Sequence, residues 1–218
     1  MGMDTYLSID LDFWTSERLF PDEDGEHVFG EFPSLFLEKV ALLKRPVAVA
    51  VHHHHILEHI NSFPQCSKLV NIDCHSDLCG NIEMNDDVEC GTWGNYVEWR
   101  TKESSHFSWW HPSSQCSQGK CNTDGGCWCN LLPQENPFFS KNPRKLCGWG
   151  KVSRKRMGLF RDADLKGIAA VGICLSPDYL NRPEVLPFRQ RLLAFANKHG
   201  AEIIGDDEEW DRVVGLYV

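Results

Sequence analysis

Two short segments of the sequence carry closely spaced side chains of the kind that bind metal ions. SIDLD contains Asp10 and Asp12, and DCHSD contains Asp73, His75 and Asp77. Residues two apart in a strand point to the same face, so each segment would present its side chains together. The apolar neighbours indicate burial, and buried carboxylates need partners. A surface strand remains the alternative for SIDLD alone, and a polar strand edge is the alternative for DCHSD.

A third segment is a run of four histidines at positions 52–55, directly after the apolar stretch PVAVAV (46–51). The run lies within the chain, between a predicted strand and a predicted helix, which disfavours an affinity tag. A histidine in this position is either a solvated loop residue or a metal ligand. We expect at least one of the four to bind a metal ion.

Together the three segments offer four aspartates and two histidines to a metal site. Carboxylate oxygens with a minority of imidazoles suit Mn²⁺ better than Zn²⁺ or copper. Four carboxylates would overcharge a single ion, whereas two ions about 3.5–4 Å apart, bridged by shared aspartates, would balance them. A water between two such ions loses a proton near neutral pH and becomes a nucleophile. The pattern therefore predicts a binuclear manganese centre.

The elements that must position these residues alternate between apolar strands and helices. This alternation predicts an α/β domain with a mostly parallel sheet. In such sheets, sites form at the carboxyl ends of the strands, where the three segments lie. Strands are predicted over 6–14, 46–51, 68–73, 167–176 and 201–205, and helices over 32–44, 56–63 and 184–200.

The middle of the chain, from about residue 80 to 160, differs in character. It is rich in Gly, Cys, Trp, Ser, Asn and Pro and has little periodicity. We predict an irregular Cys- and Trp-rich insertion within one domain that spans residues 1–218. Its clustered cysteines lack the paired spacing of structural zinc sites, so free thiols or disulfides are favoured over a zinc site. These cysteines are Cys116, Cys121, Cys127 and Cys129.

The same segment carries a basic run and several tryptophans. The basic run could dock an acidic peptide, although a solvated loop is the plainer interpretation. The tryptophans could line a groove or anchor a loop. The basic residues are Lys141, Arg144, Lys145, Lys151, Arg154, Lys155 and Arg156, and the tryptophans are Trp109, Trp110, Trp128 and Trp149.

The composition excludes several broad classes of protein. A formal net charge of −9 over 218 residues argues against a general nucleic-acid binder. No apolar run approaches the roughly 20 residues that span a bilayer, and the first residues lack the layout of a signal peptide. We therefore expect a cytoplasmic protein, whose ten cysteines are free, metal-bound or redox-active. The sequence indicates no oligomeric state.

SIDLD and DCHSD resemble the Ser-x-Asp-x-Asp and Asp-x-His-x-Asp signatures of the ureohydrolase superfamily, which includes arginases and agmatinases. With LSPDYL (175–180), they are most similar to a divergent branch that includes the peptide arginases. Those enzymes convert arginine residues in ribosomal natural-product precursors to ornithine. The resemblance covers 6–14, 46–58, 68–78 and 168–180, and it implies a three-layer arginase-like fold with a mostly parallel sheet.

The resemblance also implies a set of manganese ligands. One histidine of the run completes this set, and the position of the family's corresponding turn favours His53, with His54 as the alternative. The other implied ligands are Asp10, Asp12, Asp73, His75 and Asp77.

Roles within that set follow from the same resemblance. Asp10 and Asp73 would bridge the two ions. Asp12 or Asp77 would steady the proton of the nucleophile.

Two features differ from the pattern of ordinary arginases. Ser-x-Asp-x-Asp comes first along this chain and last in arginases, a permuted order that a parallel sheet tolerates because the ligands still meet at the strand ends. The histidine that usually follows the Asp-x-His-x-Asp motif is missing. The proton shuttle is therefore unassigned. His106 and His111 are candidates, although loop residues are the favoured interpretation.

The substrate is expected to carry a guanidinium group, which requires a carboxylate in fork geometry. Asp178, just past a buried strand, is the first candidate, with a capping or turn role as the alternative. Glu208 or Glu209 in GDDEEWD could also serve, although a solvated acidic face is the simpler interpretation.

The chain lacks a recognisable loop for the α-amino and α-carboxylate groups of free arginine, which fits arginine within a peptide. The expected reaction is hydrolysis of that arginine to ornithine and urea. The alternatives are agmatine or another free guanidino compound, an acyl-lysine as in related deacetylases, or a non-catalytic zinc-binding module.

Overall fold

Seven parallel strands form one sheet in the computed structural model, which describes residues 4–14, 31–78, 92–100, 102–111, 148–156, 165–180 and 182–217. The spatial order of the strands is β5-β4-β3-β1-β6-β2-β7, and every neighbouring pair is parallel. The strands are β1 (Thr5–Asp10), β2 (Val47–Ala50), β3 (Lys68–Ile72), β4 (His106–His111), β5 (Lys151–Arg156), β6 (Ile168–Cys174) and β7 (Glu202–Ile203).

Four α-helices connect or follow these strands within the described residues. They are α1 (Ser34–Ala41), α2 (Leu57–Asn61), α3 (Arg182–His199) and α4 (Asp207–Tyr217). The helix α3 presents Val185, Phe188 and Leu192 to the core at helical spacing, and it ends before Gly200, whose φ of 66° suits a left-handed cap. The predicted α/β class with a mostly parallel sheet is confirmed for the described residues.

Apolar cores lie on both faces of the sheet. Alternate residues of β1 point into different cores, with Leu7 and Ile9 in one and Tyr6 in the other. The first core is completed by α1, α3 and α4, and the second by α2 with the buried Trp93 and Trp149. Central strands covered on both faces read as continuous apolar runs, which is why β2 and β6 could be predicted from the sequence.

The strand register brings the carboxyl ends of the central strands to a common edge. Asp10, the last residue of β1, pairs with Cys174 of β6, and Ala50 of β2 pairs with the same Cys174. On the other side of β1, Ile9 pairs with Ile72, the last residue of β3. The residues that follow β1, β2 and β3 therefore lie near one another.

The structure differs from the sequence-based expectation in the middle segment. Residues 106–111 and 151–156, expected to be irregular, are the strands β4 and β5, which extend the sheet beyond β3. Residues 107–110 of β4 are all buried, so the strand shows none of the polar–apolar alternation that identifies a half-exposed strand. The clustered cysteines, Trp128 and the first three residues of the basic run lie outside the described residues.

The acidic stretch after Gly205, interpreted as a solvated face, is exposed at residues 206–208 and forms the start of α4. The Asp206 carboxylate accepts a hydrogen bond from the Glu209 backbone N–H at 2.8 Å, and acidic residues in a first turn interact favourably with the helix dipole. Within the described residues, the helices are too short or too polar to cross a membrane.

A glycine in β6 allows the turn after β2 to pack closely against the sheet. A Cβ atom on Gly172 would lie 2.7 Å from Ile56 Cδ1 and 2.7 Å from the Tyr6 hydroxyl. We predict that Gly172→Ala lowers the free energy of unfolding by about 1–3 kcal/mol, because overpacking displaces well-packed neighbours. Urea denaturation of the purified protein measures this change.

The matched control is Gly215→Ala in α4, where a Cβ atom would meet nothing within 4 Å. This variant should keep or slightly raise the stability, because alanine favours a helix over glycine. Equal unfolding free energies for the two variants would show that the contact behind Gly172 does not constrain the fold.

Candidate metal centre

Six acidic and imidazole side chains converge at the carboxyl edge of the sheet. They come from the ends of three strands, β1, β2 and β3, as the parallel arrangement requires. The solvent-exposed fraction of the side chain is 15% for His75 and 5% or less for the other five. The six residues are Asp10, Asp12, His53, Asp73, His75 and Asp77.

The first half of the site surrounds one nitrogen of His53. His53 Nδ1 lies 3.1 Å from a carboxylate oxygen of each of Asp10, Asp73 and Asp77. Among the described residues, no group forms a hydrogen bond of good geometry with this buried atom. We call these four residues the His53 group.

The spacing of the His53 group fits a cation better than a hydrogen-bond network. In an octahedral shell with metal–ligand distances of about 2.1 Å, neighbouring ligand atoms lie about 3 Å apart. One N–H cannot serve three carboxylates. The ligand atoms of His53, Asp73 and Asp77 lie within 4.8 Å of one another and could share a positive ion, whereas Asp10 clusters with His53 and Cys174.

The other nitrogen of His53 is held from outside the site. Ser8 Oγ lies 2.6 Å from His53 Nε2, and the Trp93 ring packs 4.5 Å from the imidazole ring. A metal-binding histidine commonly has its second nitrogen engaged in this way, which sets the orientation of the ring. Ser8 and Trp93 thus keep Nδ1 directed toward the three carboxylates.

The second half of the site forms around His75. His75 Nδ1 lies 3.0 Å from Asp12 Oδ2 and 3.5 Å from Asp73 Oδ1. We call Asp12, Asp73 and His75 the His75 group, and their ligand atoms lie within 4.8 Å of one another. These buried His and Asp clusters could bind metal ions.

Asp73 belongs to both groups and offers one oxygen to each. Its Oδ2 faces His53 and its Oδ1 faces His75. Asp10, the other predicted bridge, directs Oδ2 to His53, whereas its Oδ1 accepts the backbone N–H of Asp12 at 2.9 Å. Asp73 Oδ1 likewise accepts the backbone N–H of His75 at 2.7 Å. Asp73 nevertheless belongs to a candidate ligand cluster in each group, so the sharing of a carboxylate is clearest there.

Neighbouring polar groups orient the carboxylates. Asn71 Nδ2 donates to Asp73 Oδ2 at 3.3 Å and to Asp77 Oδ2 at 3.2 Å, and Trp93 Nε1 donates to Asp77 Oδ2 at 2.6 Å. Sequence reasoning missed both residues. Asn71 lies in β3, two positions before Asp73, the first residue after the strand, and this spacing could have identified it. Trp93 is distant in sequence and gave no signal.

Ser176 is a further supporting residue that sequence reasoning missed. Its hydroxyl donates to Asp10 Oδ2 at 2.5 Å, the oxygen that faces His53. Ser176 has a φ of 48° and Asp77 a φ of 54°, a backbone region that is costly for non-glycine residues and is retained where the surroundings enforce it. Both positions lie at the candidate metal centre.

The pKa values of the site, in the absence of a cation, show how strongly it needs positive charge. Burial and then the charges of Asp12 and Asp73 raise the pKa of Asp10 from 3.8 to about 7. Burial alone would lower the pKa of His75, but the carboxylates of Asp12 and Asp73 raise it well above the usual value. Protons therefore compete with metal ions for these ligands.

Cys174, the last residue of β6, lies beside the His53 group. It forms a cluster with Asp10 and His53 and donates a hydrogen bond to the Ile9 carbonyl at 3.4 Å. Burial raises the pKa of its thiol well above the usual value. Because the thiolate is the metal-binding form, an ion would have to displace this proton for Cys174 to act as a ligand.

The remaining histidines of the run lie at the rim. His54, the alternative ligand, is in neither metal group; its ring packs 4.0 Å from that of His55. Burial and the charges of the neighbouring histidines lower the pKa of His54 to about 4. His52 Nδ1 lies 4.0 Å from Asp178 Oδ2, and His55 Nδ1 lies 2.7 Å from Glu209 Oε1.

The two predicted substrate-binding carboxylates have different surroundings. Asp178 follows β6, next to His52, with 62% of its side chain exposed. Glu208 has 83% of its side chain exposed and lies 3.6 Å from Arg212 on α4. Its neighbour Glu209 is the residue of this helix that contacts the histidine run.

The two candidate proton shuttles lie in β4 and not in a loop. His106 begins the strand, at the sheet edge opposite the candidate site, where its Nε2 lies 2.6 Å from Ser153 Oγ. His111 ends the strand, at the same edge as the site, and its ring packs 4.9 Å from Trp109. Position within the sheet therefore favours His111 over His106.

The described part of the basic run lies in β5. Lys151, Arg154 and Lys155 are exposed, and Lys155 Nζ lies 4.2 Å from the ring centroid of Trp110. Trp109, Trp110 and Trp149 are buried, so these tryptophans pack in the interior.

Comparisons with known proteins add no family assignment. No family model matches the chain, and searches of curated proteins and of solved structures found no significant match. Membership of the ureohydrolase superfamily therefore stays a prediction that depends on the short motifs.

Metal binding should depend steeply on pH. Asp10 and His75 both hold protons below pH 7 in the absence of a cation, and a metal ion must displace them. We predict that the apparent Mn²⁺ affinity rises at least about tenfold per pH unit as the pH increases toward 7, since at least one proton is released per ion.

Titration calorimetry in buffers of different ionisation enthalpy measures both the affinity and the number of protons released. An Mn²⁺ affinity that stays constant from about pH 5.5 to 7.5 would contradict the assignment of these side chains as ligands.

Proposed function

We propose that the protein is a binuclear manganese hydrolase that converts arginine residues within peptides to ornithine and urea. The observation that carries this proposal is the position of Asp73, which directs one carboxylate oxygen to the His53 group and the other to the His75 group. A shared carboxylate between two ligand sets is the arrangement that a two-metal hydrolase requires.

The donor set supports two oxygen-preferring ions. Four carboxylates and two imidazoles favour Mn²⁺ over softer metals. Two divalent ions would balance the four negative charges, with neutral imidazoles as the remaining ligands. When bound, the ions would lower the pKa of a water molecule enough for it to act as a nucleophile near neutral pH.

The protein's own residues would position the nucleophile. Asp77 Oδ2 already accepts hydrogen bonds from Trp93 and Asn71, which hold it as a ligand. We therefore favour Asp12 over Asp77 as the residue that steadies the nucleophile's proton. Asp12 is fully buried beside His75, where the low dielectric strengthens its interactions.

A cationic substrate is supported by the carboxylates at the rim. Asp178 is exposed beside His52, and Glu209 contacts His55, so both carboxylates lie at the histidine run. A guanidinium group pairs well with a carboxylate in fork geometry, and an exposed Asp178 could be reached by an arginine side chain of a peptide. The reaction adds water to the guanidinium carbon and breaks its bond to the side-chain nitrogen, which leaves ornithine and urea.

The proposal is tested by incubating the Mn²⁺-loaded protein with an arginine-containing peptide, free arginine, agmatine and an acetyl-lysine peptide. We predict urea from the arginine peptide, together with a peptide mass that matches ornithine. Asp73→Asn should lower the rate at least about 100-fold, since loss of residues that only support a ligand already costs 10–100-fold.

The matched control is Asp4→Asn, an exposed aspartate at the opposite edge of the sheet. It should retain the wild-type rate. Hydrolysis of the acetyl-lysine peptide without urea from any guanidino compound would favour the deacetylase alternative. Binding of zinc with no activity on any substrate would favour a non-catalytic module.

A further inference from the structure

The candidate metal centre is most accessible to solvent at His75. This side chain is 15% exposed, whereas the other five ligand candidates are exposed by 5% or less. A substrate that reaches the centre therefore approaches from the side of His75.

Tyr179 lies at this entrance. Its ring centroid is 4.8 Å from that of His75, and the residue is 45% exposed, although it is large and aromatic. A planar cation can pack on the face of an exposed aromatic ring. Tyr179 thus offers an aromatic surface along the route to the metal ligands.

Tyr179 belongs to a short segment, Ser176–Leu180, that we call the strap. The strap is held at both ends. Ser176 donates through its hydroxyl to Asp10 and through its backbone N–H to the Val51 carbonyl at 2.8 Å, and Leu180 is buried in the core. Within the strap, the Tyr179 N–H donates to the Ser176 carbonyl at 3.1 Å. These contacts give Tyr179 and Asp178 defined positions.

The strap spans both halves of the candidate centre. Asp178 lies near His52, which precedes the ligand candidate His53, and Tyr179 lies against His75. The strap therefore places an exposed aromatic ring against His75 and an exposed carboxylate beside His52, at the rim of the histidine run.

We propose that the strap recognises the substrate, with Tyr179 providing the aromatic face against which a flat, delocalised cation packs while Asp178 pairs with its charge. This inference rests on the proposed function, and it identifies the planar cationic group as the part of the substrate that the strap recognises. A guanidinium group is planar and weakly hydrated, so it stacks on an aromatic face and pairs with a carboxylate at once. A neutral amide lacks the charge, and an ammonium group lacks the plane.

The test compares an arginine-containing peptide with the same peptide carrying citrulline, whose side chain has nearly the same shape but no charge. The variants are Tyr179→Leu, which keeps bulk without an aromatic ring, and Tyr179→Phe, which keeps the ring without the hydroxyl. The readouts are the KM for the arginine peptide, the inhibition constant of the citrulline peptide and the bound metal per chain.

We expect Tyr179→Leu to raise the KM for the arginine peptide about three- to thirty-fold, the range of a cation–aromatic contact. The inhibition constant of the citrulline peptide should change less than about twofold, because a neutral group gains little from the ring. Tyr179→Phe should keep the wild-type preference for the arginine peptide over the citrulline peptide. The bound metal per chain should match the wild type in both variants.

Three results would overturn the inference. In the first, Tyr179→Leu raises the KM for the arginine peptide and the inhibition constant of the citrulline peptide by the same factor, which indicates general packing. In the second, Tyr179→Leu changes neither constant. In the third, Tyr179→Phe abolishes urea release with an unchanged KM, which assigns the hydroxyl, and not the ring, to the reaction.

A failure of the proposed reaction can be told apart from a failure of this inference. If no urea is released, titration calorimetry gives the Kd of both peptides for the Mn²⁺-loaded wild-type and Leu variants. A preference for arginine that is lost in the Leu variant would still support recognition by the strap.

Discussion

Mutual repulsion among four buried aspartates is the constraint on which the rest of the structure depends. Two like charges about 4 Å apart cost on the order of 4 kcal/mol at an effective dielectric constant of about 20. Several such pairs would exceed the entire stability of a typical domain, about 5–15 kcal/mol. Burial, followed by the charges of Asp12 and Asp73, raises the pKa of Asp10 to about 7 in the absence of a cation. Burial alone would lower the pKa of His53 and of His75, but the neighbouring acidic side chains raise both, so protons offset part of the negative charge. Metal ions would have to replace these protons for the four carboxylates to ionise beside neutral imidazoles.

The parallel sheet explains how so much negative charge is concentrated at one edge. Each strand delivers its next residues to the same side, and the register of β1 with its two neighbours aligns their ends. The surroundings then fix the side chains: Ser8 and Trp93 orient His53, Asn71 holds two carboxylates and Ser176 holds Asp10. Asp77 and Ser176, both at this edge, have positive φ values. The polar network and the backbone thus agree in preserving the arrangement of the ligands.

Sequence patterns predicted the central strands and the candidate ligands, and continuous apolar runs identify β2 and β6. The strand predicted over 6–14 was wrong beyond Asp10, because Leu11–Trp14 form a 3-10 helix. The turns after β1 and β3, and not strand alternation, therefore place Asp12 and residues 73–77. The turn after β2 brings His53 into the site, as the family resemblance favoured, and leaves His54 outside it.

Other features depend on contacts between distant parts of the chain and could not be predicted. Trp93 donates a hydrogen bond to Asp77, and Ser176 donates one to Asp10. The partners in each pair are far apart in sequence, so no local pattern predicts the contact. The strand β4 lacks alternation because its central residues are buried, and α4 has an acidic start that is also typical of a solvated loop. In each case tertiary packing, and not local sequence preference, decides the structure.

The number of Mn²⁺ ions bound per chain tests the central claim most directly. Equilibrium dialysis with metal analysis at saturating Mn²⁺, supported by electron paramagnetic resonance, gives the stoichiometry and the magnetic coupling between ions. The shared position of Asp73 predicts two coupled ions per chain in the wild type and loss of the coupled pair in Asp73→Asn, with Asp4→Asn unchanged. One ion or none in the wild type, or a coupled pair that survives in Asp73→Asn, would contradict the account.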